Sequence, residues 1–336
     1  MQNLIEGLND KQKEAVLATE GPCLVIAGAG SGKTKVLTHK IAYLISEKGV
    51  KPYNILAITF TNKAASEMKQ RVEKLVGDVA QEMWMGTFHS ICVRILRRFI
   101  DRIGFDTSFL IFDTSDQKTV VKECLKALNI DDKTFSDRSV LSEISNAKNE
   151  MLTPKAYQTK YAGEFRKEKI GQVYELYQKR LRENNAIDFD DIINYTIEIL
   201  SENPDVLQYY TEKFKYVLVD EYQDTNKAQF TLVTILASRY GNITVVGDND
   251  QGIYSFRGAD ISNILNFEKD FPGTKIIKLE QNYRCTGNIL KAANAVIKHN
   301  ENKYEKKLWT ENEEGSLPCL YQAEDEYDEA NYIVKQ

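Results

Sequence analysis

The sequence predicts an α/β fold, a parallel β-sheet covered by helices on both faces, with a helical subdomain inserted into it. Three observations lead there. Apolar runs of strand length recur at Cys23-Leu24-Val25-Ile26-Ala27, Ile55-Leu56-Ala57-Ile58-Thr59, Tyr216-Val217-Leu218-Val219, Ile243-Thr244-Val245-Val246 and Lys275-Ile276-Ile277. Each is followed by a polar loop and a stretch of helical periodicity, and such alternation makes a parallel sheet buried on both sides. From about Thr114 to Asn185 no apolar strand occurs, and apolar residues recur at helical intervals instead (Val121, Leu125, Leu128; Val173, Leu176, Tyr177, Leu181).

Along the chain, the first apolar run enters a glycine-rich turn, and from Thr34 the residues Val36, Leu37, Ile41, Leu44 and Ile45 keep helical spacing. The second run is followed by a helix through Met68, Val72 and Leu75. In open sheets of this kind ligands bind at the carboxyl ends of the strands. The loops after the strands are therefore where chemistry is expected.

The bulk composition narrows the classes. At 336 residues there is room for two or three domains, and 42% hydrophobic with 28% charged residues is the balance of a globular protein in water. No apolar run approaches the roughly 18 residues of a membrane-spanning helix. The start, Met1-Gln2-Asn3-Leu4-Ile5-Glu6, has neither a secretory leader pattern nor a lipidation signal. Five cysteines (Cys23, Cys92, Cys124, Cys285, Cys319) lie far apart without a C-x-x-C pair, against a disulfide framework or a zinc site. A cytoplasmic protein with reduced thiols is expected. The net charge of −5 does not advertise nucleic-acid binding, although one groove on an acidic chain can still be basic.

The sharpest motif is Ala27-Gly28-Ala29-Gly30-Ser31-Gly32-Lys33-Thr34, after a strand and opening a helix. Glycines let successive N–H groups turn toward phosphate oxygens, and the helix N-terminus favours negative charge. Lys33 would reach the β- and γ-phosphates, with Lys35 beside it, and the Thr34 hydroxyl would ligate Mg²⁺. The pattern's first glycine is Ala27 here. The second motif, Val219-Asp220-Glu221-Tyr222-Gln223-Asp224, ends an apolar strand in two carboxylates. Asp220 suits Mg²⁺ and Glu221 suits proton abstraction from water. Together the motifs favour nucleotide hydrolysis. Guanine specificity is excluded, since Asn62-Lys63 is followed by Ala64-Ala65 and lacks its carboxylate. A calcium loop from Asp248-Asn249-Asp250 fails, because its sixth and twelfth positions are Ile253 and Ala259.

The order of segments resembles the PcrA/UvrD/Rep family of superfamily 1 DNA helicases. The similarity runs through Leu8-Asn9-Asp10-Lys11-Gln12, the phosphate loop, residues 57–65, Gly86-Thr87-Phe88-His89-Ser90, Asp188-Phe189-Asp190-Asp191, Asp220 to Asp224, residues 246–254, Phe256-Arg257-Gly258-Ala259 and Gln281-Asn282-Tyr283-Arg284. It implies a RecA-like P-loop NTPase fold. Residues 1–113 plus 187–277 would form the first motor domain, 114–186 the inserted helical subdomain, and 278–336 the beginning of a second RecA-like domain. By the same resemblance Gln12 reads adenine, Gln251 senses the γ-phosphate, Tyr283 stacks on adenine and Arg284 reaches the γ-phosphate. The last role is worth roughly 10³–10⁵ in rate where such arginines act. ATP and Mg²⁺ are the implied cofactors.

For single-stranded DNA the resemblance points to Phe60, Thr61, Asn62, Thr87, His89, Phe189, Tyr254, Phe256 and Arg257. Stacking a base on an aromatic ring contributes about 1–3 kcal/mol whatever the base. Phe256 stands where the family usually has tryptophan, and Gly252 where it has serine. Arg94, Arg97, Arg98 and Arg102 read as a solvated helix face as readily as a phosphate contact. Tyr157, Tyr161, Tyr174 and Tyr177 read as helix packing, and His39 and His299 have no partners at metal-ligand spacing.

The family's later motifs are absent, so the chain is expected to be a shortened form of a longer protein and a monomer. It is expected to bind Mg-ATP and single strands or duplex junctions without unwinding much. The family's 3′-to-5′ helicase activity would belong to the full-length parent. Two other classes remain, a nucleotide-gated single-strand-binding module and the motor subunit of an RNA-directed or helicase–nuclease enzyme. The segment after about Lys278, lacking most of its own domain, is expected to be mobile or poorly packed.

Overall fold

A computed structural model describes residues 4–300 and 304–336. The elements run α1 (Asp10–Leu17), β1 (Cys23–Ala27), α2 (Lys33–Ser46), β2 (Ile55–Thr59), α3 (Asn62–Val76), β3 (Trp84–Thr87), α4 (Phe88–Phe99) and β4 (Leu110–Ile111). Then follow α5 (Thr114–Ala127), α6 (Asp137–Asn149), α7 (Pro154–Lys160), α8 (Phe165–Glu183), β5 (Ala186–Ile187), α9 (Phe189–Glu202) and α10 (Pro204–Lys213). The chain continues through β6 (Tyr216–Val219), α11 (Lys227–Ala237), β7 (Ile243–Gly247), α12 (Ser262–Leu265), α13 (Phe267–Asp270), β8 (Lys275–Leu279), α14 (Gly287–Ile297) and α15 (Glu326–Lys335).

Six strands form one parallel sheet in the order β3-β2-β6-β7-β1-β8. Side chains alternate between its two faces, as a pleated strand requires. Leu24 and Ile26 enter the core shared with α4, α9, α10 and α11, whereas Cys23, Val25 and Ala27 enter the core under α1, α2 and α3. The same split divides Leu56 and Ile58 from Ile55 and Ala57. Both faces are therefore dry, which explains why these strands read as unbroken apolar runs.

Helices α5 to α8 enclose a separate core around Val121, Leu125, Ile144, Val173, Tyr177 and Leu181. Tyr157 and Tyr174 are buried in it and Tyr161 packs against it, so these tyrosines are packing residues. The short parallel pair β4–β5 closes the base of this subdomain. No helix among the described residues is long and apolar enough to cross a membrane.

The edge of the sheet departs from expectation. β8 pairs with β1 from Cys23↔Lys275 to Ala27↔Leu279, so the first sheet runs past the boundary expected at 277. The run Lys275-Ile276-Ile277 extends two residues further than its apolar pattern shows, to Leu279. Lys275 is exposed on the face of the buried Ile277 and Leu279, while Lys278 lies half-buried on the other face and donates to the Glu305 carbonyl.

After Lys278 two short stretches, 281–283 and 304–309, pack on the first sheet, while α15 buries no residue and Leu317, Leu320 and Val334 are exposed. Asn282 is buried and donates to the Ala29 carbonyl at 2.7 Å, and the Tyr283 amide donates to Gly30 at 3.0 Å. Gln281 and Trp309 form a parallel bridge, and Tyr304 is buried in the main core. Asn282, Tyr283 and Tyr304 thus find partners on the first domain.

Candidate functional site

The phosphate loop joins β1 to α2. Ala27 ends the strand in pairing with Leu279 and has no positive φ, so an alanine serves there as well as the usual glycine. Gly30 (φ 68°) and Gly32 (φ 90°) are left-handed, a region L-residues enter at a cost of about 1–2 kcal/mol. Space is short as well. A Cβ on Gly30 would lie 2.7 Å from Asn282 Nδ2, and one on Gly28 would collide with Leu308. Ser31 Oγ donates to the Gly28 carbonyl at 2.7 Å and holds the curl.

Gly32 caps α2 without any side-chain hydrogen bond. The contrast with α3 and α9 is direct, because Thr61 and Asp188 cap those helices through their side chains. The first N–H groups of α2 therefore keep their need for an acceptor.

Lys33 extends from this turn to Glu221 at the end of β6, Nζ donating to Oε2 at 3.0 Å. Glu221 holds φ 49° and ψ 43°, a left-handed conformation that costs a non-glycine residue on the order of 1–3 kcal/mol and is typical of functional turns. Asp220 is buried one residue earlier, and burial followed by the Glu221 charge pushes its carboxyl up to about 6. Asp224 is likewise pushed up to about 6 by burial and then by Glu221. With Lys33 bonded to Glu221, its charge and the Glu221 amide offset the burial of Asp220 only in part. Its carboxylate and the Thr34 hydroxyl are the hard oxygen donors that Mg²⁺ prefers, so the residues fit the implied ion.

Gln223 links this turn to the next strand. Its Nε2 donates to Glu221 Oε2 at 3.0 Å and its Oε1 accepts from the Asp248 amide at 3.0 Å. Gln251 Nε2 donates to the Asp248 carboxylate at 2.5 Å. Lys33, Glu221 and Gln251 are thus brought into one polar network.

The expected base-binding residues have local partners. Gln12 is buried, its Oε1 accepting from the Asn9 amide at 3.2 Å and its Nε2 donating to Ser31 O at 2.9 Å. One end of that amide caps α1 and the other braces the phosphate loop. Tyr283 is half exposed, and its hydroxyl accepts from Asn9 Nδ2 at 2.7 Å. Arg284 is exposed beside the loop, with its Cβ 2.8 Å from where a Cβ on Gly30 would stand. Lys35 points away and donates to the Gly7 carbonyl at 2.7 Å.

From Glu221 a cleft of about 530 Å³ opens past Phe60, Thr61, Gln251, Tyr254 and Arg257. It shares Asn226, Gln229 and Arg257 with a second cleft of about 640 Å³ between the six-stranded sheet domain and helices α5 to α6. That second wall carries His89, Phe189, Phe256, Lys118 and Arg138. Phe256 is 74% and Phe189 51% exposed, an unusual state for large rings unless they meet a partner. The Arg257 guanidinium lies 5.6 Å from the Tyr254 ring centre and 5.5 Å from that of Phe256. His89 meets Phe189 edge-on at 5.7 Å. Asn62 and Thr87 do not line either cleft. Asn62 is exposed on α3, and Thr87 caps α4 by accepting from the Ser90 amide at 3.2 Å.

Phe189 is held by a buried charge cluster that the sequence did not announce. Lys148 of α6 donates to Asp188 at 2.6 Å and pairs with Asp191 at 2.7 Å, with Tyr177 OH on Asp188 at 2.9 Å. Burial alone would raise the Asp188 pKa, but the Lys148 charge and the hydrogen bonds it receives hold it below its usual value. Burial and the Asp188 charge push Asp191 up to about 7. The cluster joins the inserted subdomain to the helix that begins at Phe189. Other arginines are engaged locally: Arg94 lies 3.7 Å over the Trp84 ring, Arg97 lies 3.8 Å over Phe109, and Arg102 pairs with Asp205 at 2.9 Å. They form a supported surface rather than part of the groove.

Comparison with known proteins agrees with this arrangement. The profile described as UvrD/REP helicase N-terminal domain matches residues 8–272, and that described as UvrD-like helicase C-terminal domain matches residues 277–336. The "ATP-dependent DNA helicase PcrA" of Staphylococcus epidermidis is 58% identical across 100% of this chain, which corresponds to 46% of that protein. Its counterpart from Staphylococcus aureus is 56% identical over the same shares. The chain thus spans about half the length of the curated relatives it matches. A phosphate loop answered by Asp220-Glu221, two profile matches in sequence order and identity above half along every residue lead to one conclusion: the chain belongs to the UvrD/REP helicase family.

Proposed function

We propose that this chain is the nucleotide-binding half of an ATP-dependent DNA helicase, and that it binds Mg-ATP on the phosphate loop and single-stranded DNA in the adjoining groove. The observation that carries the reading is the Lys33–Glu221 pair at 3.0 Å, from which the aromatic cleft opens directly. A catalytic base beside a polymer groove is what coupling hydrolysis to a strand requires.

In this reading the N–H groups of residues 28–34 and the Lys33 ammonium hold the β- and γ-phosphates. Lys33 then exchanges Glu221 for phosphate oxygens, and the released carboxylate takes a proton from the attacking water. Thr34 and Asp220 would hold Mg²⁺, which neutralises charge on the phosphate oxygens. Gln251 turns toward the γ-phosphate, and Arg284 reaches it from beside Gly30. Tyr283 stacks on adenine, and Gln12 reads its edge once its bond to Ser31 is exchanged. Phe60, Tyr254, Phe256 and Phe189 supply stacking surfaces, with Arg257, Lys118 and Arg138 as cations for the phosphates. A 3′-to-5′ polarity and action in DNA repair or replication follow the family resemblance.

Steady-state ATP hydrolysis with and without oligo(dT), beside a Glu221→Gln variant, tests this. Turnover that rises with the strand and disappears in the variant is expected. Nucleotide binding without strand-dependent turnover would favour the nucleotide-gated binding module instead, and absence of nucleotide binding would overturn both readings.

A further inference from the structure

We propose that Lys306 is a positioning residue for Gln251, and that it sets the preference of the site for a nucleoside triphosphate over a diphosphate. The inference rests on the reading of Gln251 as the group that meets the γ-phosphate.

Residues 304–309 form a strap across the ends of β1 and β7. Tyr304 anchors it in the core, Leu308 occupies the space above Gly28, and the Trp309 amide donates to Glu280 at 3.0 Å. Between these anchors the Lys306 side chain, 4% exposed, enters the loop that follows β7. Its ammonium reaches Asp248 Oδ1 at 2.5 Å, the Asp250 carboxylate, and Asn249 Oδ1 at 3.3 Å. Three donors find three acceptors, the full capacity of an ammonium.

Asp248 joins the strap to Gln251. One oxygen accepts from Lys306 and the other from Gln251 Nε2 at 2.5 Å. Its amide is bonded to Gln223, which is bonded to Glu221, which is bonded to Lys33. A continuous line of polar contacts therefore runs from the strap to the phosphate loop.

Asp248 and Asp250 both present buried carboxylates, 3% and 8% exposed at the side chain, and the ammonium lies between them. Removing one partner of a buried ion pair leaves an uncompensated charge. Without Lys306 the Asp248 carboxylate keeps the Asp250 amide at 3.0 Å but loses the cation beside it, and the acceptor that orients Gln251 is less firmly held. The phosphate loop keeps its own hydrogen bonds to Asn282 and Tyr283. The defect is therefore confined to the end of the nucleotide that Gln251 meets.

The experiment compares fluorescent ADP with a fluorescent, non-hydrolysable ATP analogue on the whole chain, in the original protein and in Lys306→Met, Lys306→Arg and Asp250→Asn. Lys306→Met should weaken the triphosphate analogue by about tenfold, the scale of one lost charge-assisted contact, with ADP affinity within about twofold. Lys306→Arg should restore most of the preference, and Asp250→Asn should lose part of it. Equal weakening of both nucleotides would mean a merely structural role and would overturn the proposal, as would an unchanged ratio. If Lys306→Met does not fold, an unchanged ratio in Asp250→Asn overturns it. Failure of the original protein to bind either nucleotide would instead count against the proposed function.

Discussion

Lys33 and Glu221 lie 188 residues apart in sequence and 3.0 Å apart in space. The pair neutralises a carboxylate that the Asp220 and Asp224 side chains would otherwise repel, and it fixes the lysine beside the glycine-rich loop. Lys33→Ala should weaken Mg-ATP binding by about 1.5–3 kcal/mol, the usual worth of a hydrogen bond to a charged group. Titration with a fluorescent ATP analogue reads this directly. An affinity unchanged in the variant would remove Lys33 from the binding site.

Lys148 serves stability and geometry together. Lys148→Ala leaves Asp188 and Asp191 buried without their cation and should cost about 3–5 kcal/mol. Chemical denaturation checks the size. Lys148→Met combined with Asp188→Asn should recover part of the loss, because the uncompensated charge is removed as well.

His89 should titrate below the ordinary histidine value of 6.5, because burial disfavours its cation more than a hydrogen bond to the Phe189 backbone supports it. The folded chain then holds that proton less tightly than the unfolded one. Its contribution to stability is complete above pH 6.5 and is lost as pH falls through the folded value. With three histidines in the chain, proton NMR resolves the titration. Phe189→Ala should expose the ring and move the midpoint back toward 6.5.

Phe256 is 74% exposed and contributes little to the core. Phe256→Ala should leave the melting temperature within about a degree and weaken oligo(dT) binding by about 1–3 kcal/mol, the worth of one stacked base. Fluorescence anisotropy measures the binding. Phe256→Trp should tighten it by offering more ring surface. Equal affinity in all three proteins would place the strand elsewhere.

The sheet was legible because its strands are dry on both faces, so five-residue apolar runs stand out from amphipathic helices. The phosphate loop and the Asp220-Glu221 turn were legible because local geometry dictates their residue types. The tertiary partners of Asn282, Lys148 and Lys306 were not legible. Each acts through partners tens to hundreds of residues away, and in sequence Lys306 sits in the run Glu305-Lys306-Lys307, which reads as a solvated face. Gln12 shows the opposite limit. Its capping pattern with Asn9 was open to reading, yet its second bond, to Ser31, belongs to tertiary structure. Only the last two residues of β8, Lys278 and Leu279, fall past the expected boundary at 277, because a lysine at 278 interrupts the apolar run.

That edge strand has a mechanical meaning. β8 lies parallel to β1 over the register from Cys23↔Lys275 to Ala27↔Leu279, and the chain leaves it at the same end where β1 turns into the phosphate loop. A pull transmitted from later residues loads every rung of this ladder at once, as shear, instead of peeling them one by one. The two strands then move as a single rod, and a displacement at Gln281 reaches Gly28 with little loss. Anything attached beyond β8 has, in effect, a stiff handle on the phosphate loop.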